Sequence, residues 1–204
     1  MDFVETTILR DTWDIDRRLS ELNLTREGLL DVRAVALNEG ANATPFHAAN
    51  ASGTFAYHAG TWALRHQFVG GDWILDRADG VEAIQNEKLK IKIAFSNVDL
   101  ACNDFHVPKP RTKKGAGAER ATGSDLFGDL PQYAPRPTGE WLFYYLMVDV
   151  RGAAELTRPV VKGGTFVAAV ERIYLSNGGE GEGAMLLDDN SDVVDNFDPQ
   201  VGRK

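Results

Sequence analysis

The most regular stretch of the chain spans residues 88–95 and reads KLKIKIAF. Lysines alternate with apolar residues, and successive side chains of a β-strand point to opposite faces of the sheet. The stretch therefore predicts a strand with one apolar face and one wet, basic face. A row of lysines is typical of an edge strand, where it prevents aggregation, and the same row is a candidate for binding an anion. The apolar face comprises Leu89, Ile91, Ile93 and Phe95, and the basic face Lys88, Lys90 and Lys92.

Further strands are predicted on both sides of this stretch. Residues 73–76 read WILD, and an Asp-Gly turn joins them to a second short strand at residues 81–84, so the two form a hairpin. Residues 140–150 read EWLFYYLMVDV and are apolar on both faces, which is typical of a central strand. Residues 165–175 read TFVAAVERIYL, follow a double glycine and predict another strand.

The first third of the chain is predicted to be helical. Residues 14–22 predict a short helix, and Thr25 is a suitable N-cap for a second helix that stops near Gly40. Residues 54–69 fit either a helix or a strand, and we favour a helix because the stretch is longer than a typical strand and ends at two glycines. The predicted fold class is α+β, with N-terminal helices followed by a mostly antiparallel sheet and a long irregular central loop.

The central loop runs from about residue 96 to residue 138 and contains five prolines without a regular period. Loops of this length are uncommon in compact domains and are usually functional or mobile. We expect one α+β domain over residues 1–175. Residues 176–204 are rich in Gly, Asp and Glu, carry seven anions against two cations, and are predicted to form an acidic tail.

Composition narrows the class of protein. The 204 residues carry a net charge of −8, which argues against a general nucleic-acid coat but leaves room for a local basic surface. The single cysteine excludes an internal disulfide, and the N-terminal residues do not resemble a signal peptide. The longest apolar run is much shorter than a membrane-spanning helix. We therefore expect a soluble, cytoplasmic protein without a membrane partner.

Residues 109–123 read KPRTKKGAGAERATG and form the most basic part of the chain. Between residues 88 and 120, eight cations face three anions, a local balance of +5. The glycines are not followed by Lys-Ser or Lys-Thr, so a nucleotide P-loop is not expected. A flexible basic loop can still follow a nucleic-acid backbone, with Phe105, Phe127 and Tyr133 available to stack on bases. The anion-binding candidates are Lys109, Arg111, Lys113, Lys114 and Arg120, together with Lys88, Lys90 and Lys92; the alternative is a solvated loop.

Two sets of residues are weaker candidates for metal chemistry. Asp99, Cys102, Asp104 and His106 all have side chains that bind transition metals, but the second Cys or His pair of a structural zinc site is missing. Otherwise, Cys102 is expected to be a small buried hydrophobe. The second set consists of Asp76, Asp79, Glu87 and Lys90, which would suit a magnesium-dependent nuclease. Its weakness is that Glu87 and Lys90 are three residues apart and do not share one face of a strand.

Three functions remain open from the sequence. The first is an accessory binding protein without catalysis of its own and without a predicted cofactor, whose basic central loop engages nucleic acid or another anionic partner. The second is the divalent-metal-dependent nuclease, with Mg²⁺ as its cofactor. The third is an inhibitor or regulator that binds a protein partner through its acidic surface and tail.

Overall fold

The computed structural model describes residues 6–122 and 141–179. These residues form four helices and seven strands, which confirms the α+β class. A short strand precedes the first three helices, which otherwise come before the sheet as predicted, and the fourth helix lies between two strands of the sheet. The elements in chain order are β1 (Thr7–Leu9), α1 (Thr12–Glu21), α2 (Arg26–Ala41), α3 (Ala51–Phe68), β2 (Trp73–Asp76), β3 (Ala83–Asn86), β4 (Ile91–Asn97), α4 (Ala116–Ala121), β5 (Leu142–Val148), β6 (Ala153–Lys162) and β7 (Thr165–Asn177), with one 3-10 turn at Ala78–Gly80 between β2 and β3.

The strands form one mixed sheet in the order β1-β7-β6-β5-β4-β3-β2. Among the described residues, four neighbouring pairs are antiparallel, and two pairs, β1 with β7 and β4 with β5, are parallel. The expectation of a mostly antiparallel sheet fits only roughly. Parallel neighbours need a connection that returns the chain to the end of the sheet where the first strand began. The long segment between β4 and β5 makes this return.

The stretch that reads KLKIKIAF does not form an edge strand. β4 begins at Ile91 and lies between β3 and β5, and Lys88 and Lys90 belong to the turn before it. The Asn86 side chain shapes this turn, because its Oδ1 atom accepts hydrogen bonds from two backbone amides in it. Lys90 has a positive φ of 55°, which ends the turn. Lys92 alone of the three lysines lies in the strand, where its side chain is largely buried, whereas Lys88 and Lys90 are exposed in the turn.

The two faces of the sheet are covered differently. On the face that we call the helix face, α1, α2 and α3 pack on alternate strand residues such as Phe95 and Tyr144. On the opposite face, which we call the loop face, residues of the connection between β4 and β5 pack on Tyr145 and its neighbours. Because strand side chains alternate, each central strand contributes to both clusters. β5 is accordingly buried on both faces, as its sequence predicts.

The helical prediction for residues 54–69 is confirmed by α3. Trp62, His66 and Val69 are exposed, and Trp62 stacks on His66. The buried face includes Gly60, where an added Cβ would lie 2.6 Å from the ring of Phe95. The N-cap prediction is also confirmed, since the Thr25 hydroxyl accepts a hydrogen bond from the amide of Gly28. None of the helices in the described ranges is long and apolar enough to cross a membrane.

Candidate anion-binding surface

The basic segment is tied to the sheet at several points. Val98 and Pro110 form an isolated antiparallel bridge, and the amide of Arg111 donates to the carbonyl of Asn97 at 3.1 Å. Further along, the amide of Lys114 donates to the carbonyl of Gly164, in the turn between β6 and β7, at 2.8 Å. Up to residue 122, the segment that was predicted to be an irregular loop therefore follows a defined course across the loop face. Residues 123–138, with Phe127 and Tyr133, lie outside the described residues.

One glycine of this segment allows close packing. Gly117 in α4 lies against the 3-10 turn, and a Cβ added there would sit 1.7 Å from the carbonyl oxygen of Asp79. Arg120 then reaches back from α4, and its Nε and Nη2 atoms both donate to Asp79 Oδ1, at 3.1 and 3.0 Å. The glycine at this position thus permits α4 to dock on the turn, and Arg120 holds it there.

The eight cations predicted to bind an anion fall into three groups. Some are paired with carboxylates: Lys88 with Asp72, Lys92 with Asp76 and Arg120 with Asp79. Others contact aromatic rings: Lys90 lies over Trp141, and Lys114 is directed into the loop face. The rest are exposed and have no ion pair with any residue in the described ranges; they are Lys109, Arg111 and Lys113.

The exposed cations are joined by one that the sequence did not single out. Lys162 is exposed at the end of β6, two residues before Gly164. Lys113 lies against Gly164, because a Cβ added to that glycine would contact the Cβ of Lys113 at 3.6 Å. We call Lys109, Arg111, Lys113 and Lys162 the basic surface. The signal for Lys162 was hidden because β6 itself was not predicted.

An exposed aromatic side chain lies on the loop that ends at Lys109, the first cation of the basic surface. Residues 99–109 form a closed loop, since the Asp99 amide donates to the Lys109 carbonyl at 3.0 Å and the Lys109 amide donates to Asp99 Oδ1 at 2.7 Å. His106 Nε2 lies 2.9 Å from Asp99 Oδ2 and braces the loop. At the far end of the loop, Phe105 is 100% exposed. A fully exposed phenyl ring gains nothing from folding, so this ring is available to a partner.

A buried ion pair beneath the loop holds its shape. Arg172 of β7 and Glu155 of β6 are both buried, and two hydrogen bonds of 3.0 and 2.7 Å join them. The remaining Arg172 donor, Nη1, binds the carbonyls of Asn103 and His106 at 2.7 and 3.1 Å. Such a pair is stable in a core only when its other hydrogen-bonding atoms are satisfied, and here the loop satisfies them. Sequence reasoning missed both residues, because nothing in the sequence of either strand identifies its partner.

The candidate zinc ligands are close in sequence but contact different partners. Besides the contact of His106 with Asp99, the Cys102 thiol donates to the carbonyls of Ala154 and Ser176, and burial raises its pKa to about 12. Asp104 pairs with Arg10 at 2.5 Å, which holds the pKa of that carboxyl below its usual value. A zinc-binding cysteine must lose its proton, which this site opposes. The described part of the chain contains no group of three side chains arranged to hold a metal ion.

The candidate nuclease residues are likewise engaged elsewhere. Asp76 Oδ2 is bound by Lys92 at 2.6 Å, and Asp79 is bound by Arg120. Glu87 is exposed in the turn between β3 and β4, near Lys90. The structure therefore does not bring these carboxylates together around one point, and the nuclease stays a prediction without further support.

Comparisons with known proteins leave the function to be argued from this geometry. No protein-family model, curated protein or solved structure matches the chain. What the surface can do chemically follows from its side chains: three cations close together in sequence, a fourth beside them on the hairpin turn, and one exposed phenyl ring on the adjoining loop.

Proposed function

We propose that the protein is an accessory binding protein that engages single-stranded nucleic acid through the basic surface and Phe105. The observation that carries the proposal is the exposure of Lys109, Arg111 and Lys113 without a carboxylate partner in the described ranges. Lys88, Lys92 and Arg120, predicted by the same reasoning, are neutralised by aspartates. A chain with a net charge of −8 keeps these three cations exposed and close together.

The aromatic ring favours a single strand over a duplex. Lysine and arginine side chains neutralise phosphates irrespective of sequence, whereas unpaired bases stack on exposed aromatic rings. Phe105 supplies such a ring, and the loop that carries it ends at Lys109, the first cation of the basic surface. A strand lying across this region would place its phosphates on the cations and a base on the ring. In a duplex, the bases are paired and stacked, so the ring has no base to contact.

The experiment is a fluorescence-anisotropy titration of labelled single-stranded DNA, single-stranded RNA and duplex DNA, each at several salt concentrations. We expect tighter binding of single strands than of the duplex, with an affinity that falls as salt rises. Intact probes after each titration, checked on a gel with and without Mg²⁺, support binding without cleavage. Equal binding of duplex and single strands contradicts the role of Phe105, and no binding at low salt contradicts the proposal.

A further inference from the structure

Lys114 differs from the rest of the basic segment because its side chain enters the loop face. Its Nζ atom donates to Ser96 Oγ at 2.8 Å and lies 4.9 Å from the ring centroid of Tyr145 and 5.6 Å from that of Phe166. Ser96 and Tyr145 are each only 1% exposed. No carboxylate in the described ranges forms an ion pair with Lys114. A lysine is therefore held in a largely apolar place by one hydroxyl and two aromatic rings.

Hydrogen-bond donors around the Lys114 side chain outnumber the acceptors. A lysine ammonium has three N–H donors and no acceptor, and Ser96 accepts only one of them. The Ser96 hydroxyl itself donates to the carbonyl of Asn97 at 3.2 Å. The Tyr145 hydroxyl is buried and has no hydrogen-bond partner among the residues that the structure describes. Buried polar groups are almost always satisfied, so the unsatisfied donors of Lys114 and Tyr145 point to an acceptor that the described residues do not supply.

We propose that Lys114, Ser96 and Tyr145 bind a phosphate group. The ammonium would neutralise its charge and the Tyr145 hydroxyl would donate to one of its oxygens, while Ser96 holds the ammonium by accepting its hydrogen bond. A phosphate group suits this place because its several oxygens accept hydrogen bonds from different directions at once. The proposal is independent of the nucleic-acid function, since free inorganic phosphate would satisfy the same donors as a phosphate at the end of a strand.

The protonation state of Lys114 is consistent with a bound phosphate. Burial lowers the pKa of Lys114 to about 8, so the amine still carries its proton at neutral pH, although the protein offers it no negative partner in the described ranges. A bound anion would compensate the lost hydration of the ammonium. The surrounding rings compensate it only in part, because the attraction of a cation to an aromatic face is weak.

The test is a titration with inorganic phosphate at constant ionic strength, followed by calorimetry and by thermal unfolding. The variants are Lys114→Met, which keeps the length of the side chain, and Tyr145→Phe, which removes only the hydroxyl. Lys88→Met removes an exposed lysine outside the basic surface and serves as the matched control. We expect saturable binding and a rise in Tm for the wild type and for Lys88→Met, and a loss of affinity of at least about tenfold for Lys114→Met.

Tyr145→Phe should weaken phosphate binding severalfold. If Lys114→Met does not fold, this variant alone tests the proposed phosphate site. Oligonucleotides with and without a 5′-phosphate then identify the source of the phosphate. A preference for the phosphorylated strand that Lys114→Met removes indicates a strand terminus, and equal binding indicates free phosphate. If oligonucleotides do not bind at all, the proposed function fails while the phosphate titration still stands. The absence of saturable binding up to about 20 mM phosphate, or equal affinity in the wild type, Lys114→Met and Tyr145→Phe, would overturn the proposal.

Discussion

Gly117 shows how one residue positions the basic segment. Its Cα passes so close to the Asp79 carbonyl that even a methyl group must displace α4. We expect Gly117→Ala to lower the Tm by about 5 °C or more. Gly115→Ala is the matched control, because a Cβ at Gly115 meets nothing within 4 Å. The measurement is thermal unfolding of both variants, and equal Tm values would show that α4 does not depend on this contact.

Phe105 is the residue on which the preference for single strands depends. Removing a stacked ring costs about 1–3 kcal/mol per base, so Phe105→Ala should weaken binding of single-stranded DNA by about 5-fold to 140-fold. The salt dependence should stay unchanged, since no phosphate contact is lost. Phe46→Ala provides the control, because Phe46 is equally exposed but lies in the connection between α2 and α3. Anisotropy titrations that give the two variants equal affinity would exclude stacking on Phe105.

Lys114 gives the stability of the protein a specific pH dependence. Its folded-state pKa of about 8 is below the ordinary value of 10.5, so the unfolded state binds the extra proton between these values. The amine therefore destabilises the fold below pH 8, and this penalty disappears as the pH rises to 10.5. Lys114→Met should be more stable than the wild type by about 2 kcal/mol at pH 7, after allowing for the lost hydrogen bond.

The measurement for Lys114 is denaturant unfolding between pH 7 and pH 10.5 in a buffer free of phosphate, with Lys113→Met as the control. The gap between the wild type and Lys114→Met should narrow steadily above pH 8. A gap that does not change with pH would show that the burial of the amine has no influence on folding.

Sequence reasoning at the residue scale succeeded where the contacts are local. The Thr25 cap involves an amide three residues away, so its signal is visible in the sequence. The basic segment was also recognisable, because its cations are close together. Which cations remain exposed was not predictable, since Arg120 is neutralised by Asp79, 41 residues earlier in the chain.

The elements of the loop face depend on polar contacts between strands. β6 escaped prediction because Glu155, Thr157 and Arg158 interrupt its apolar pattern, and Pro159 lies at a register shift in its pairing with β7. The buried Glu155 and Thr157 are hydrogen-bonded to each other, and Glu155 pairs with Arg172. A sequence pattern marks such residues as exposed, because buried charges are rare without a partner. The capped helix α2 and the apolar strand β5 were correspondingly easier to predict.

The buried ion pair allows a test of how β6 and β7 support the loop of residues 99–109. Arg172→Met leaves the Glu155 carboxylate buried without its cation, which should destabilise the fold by about 3–5 kcal/mol. The loop should also exchange its amide hydrogens faster, since two of its carbonyls lose their donor. Denaturant unfolding and hydrogen-exchange mass spectrometry measure the two effects.

A double variant separates the effect of the buried charges of Glu155 and Arg172 from the effect of their packing. In Glu155→Gln with Arg172→Met, no charge is buried at these two positions, and the glutamine oxygen can still accept from the amide of Cys102. The double variant should therefore recover part of the stability that Arg172→Met loses. If the double variant is the less stable of the two, the loop depends on the Glu155 carboxylate itself.

At the scale of the whole molecule, the two faces of the sheet have different roles: the helices pack on one, and the proposed binding surface lies on the other. Three helices cover the helix face, whereas the connection between β4 and β5 covers the loop face and presents the basic surface. The parallel pairing of these strands could not be predicted, because parallel strands are usually joined by a helix packed on the sheet. Here the described part of the connection contains only the short α4. The long loop was recognisable from its prolines, but its course across the sheet depends on contacts distant in sequence.

The most direct test of the central claim compares two triple variants that lose the same charge. One removes Lys109, Arg111 and Lys113 from the basic surface, and the other removes three exposed arginines elsewhere, each replaced by Ala. We expect the first variant to bind single-stranded DNA weakly, with the slope of log K against log salt reduced in magnitude by about 2, and the second to stay close to the wild type. Equal slopes and affinities in the two variants would contradict binding at the basic surface. The arginines of the control are Arg17, Arg77 and Arg151.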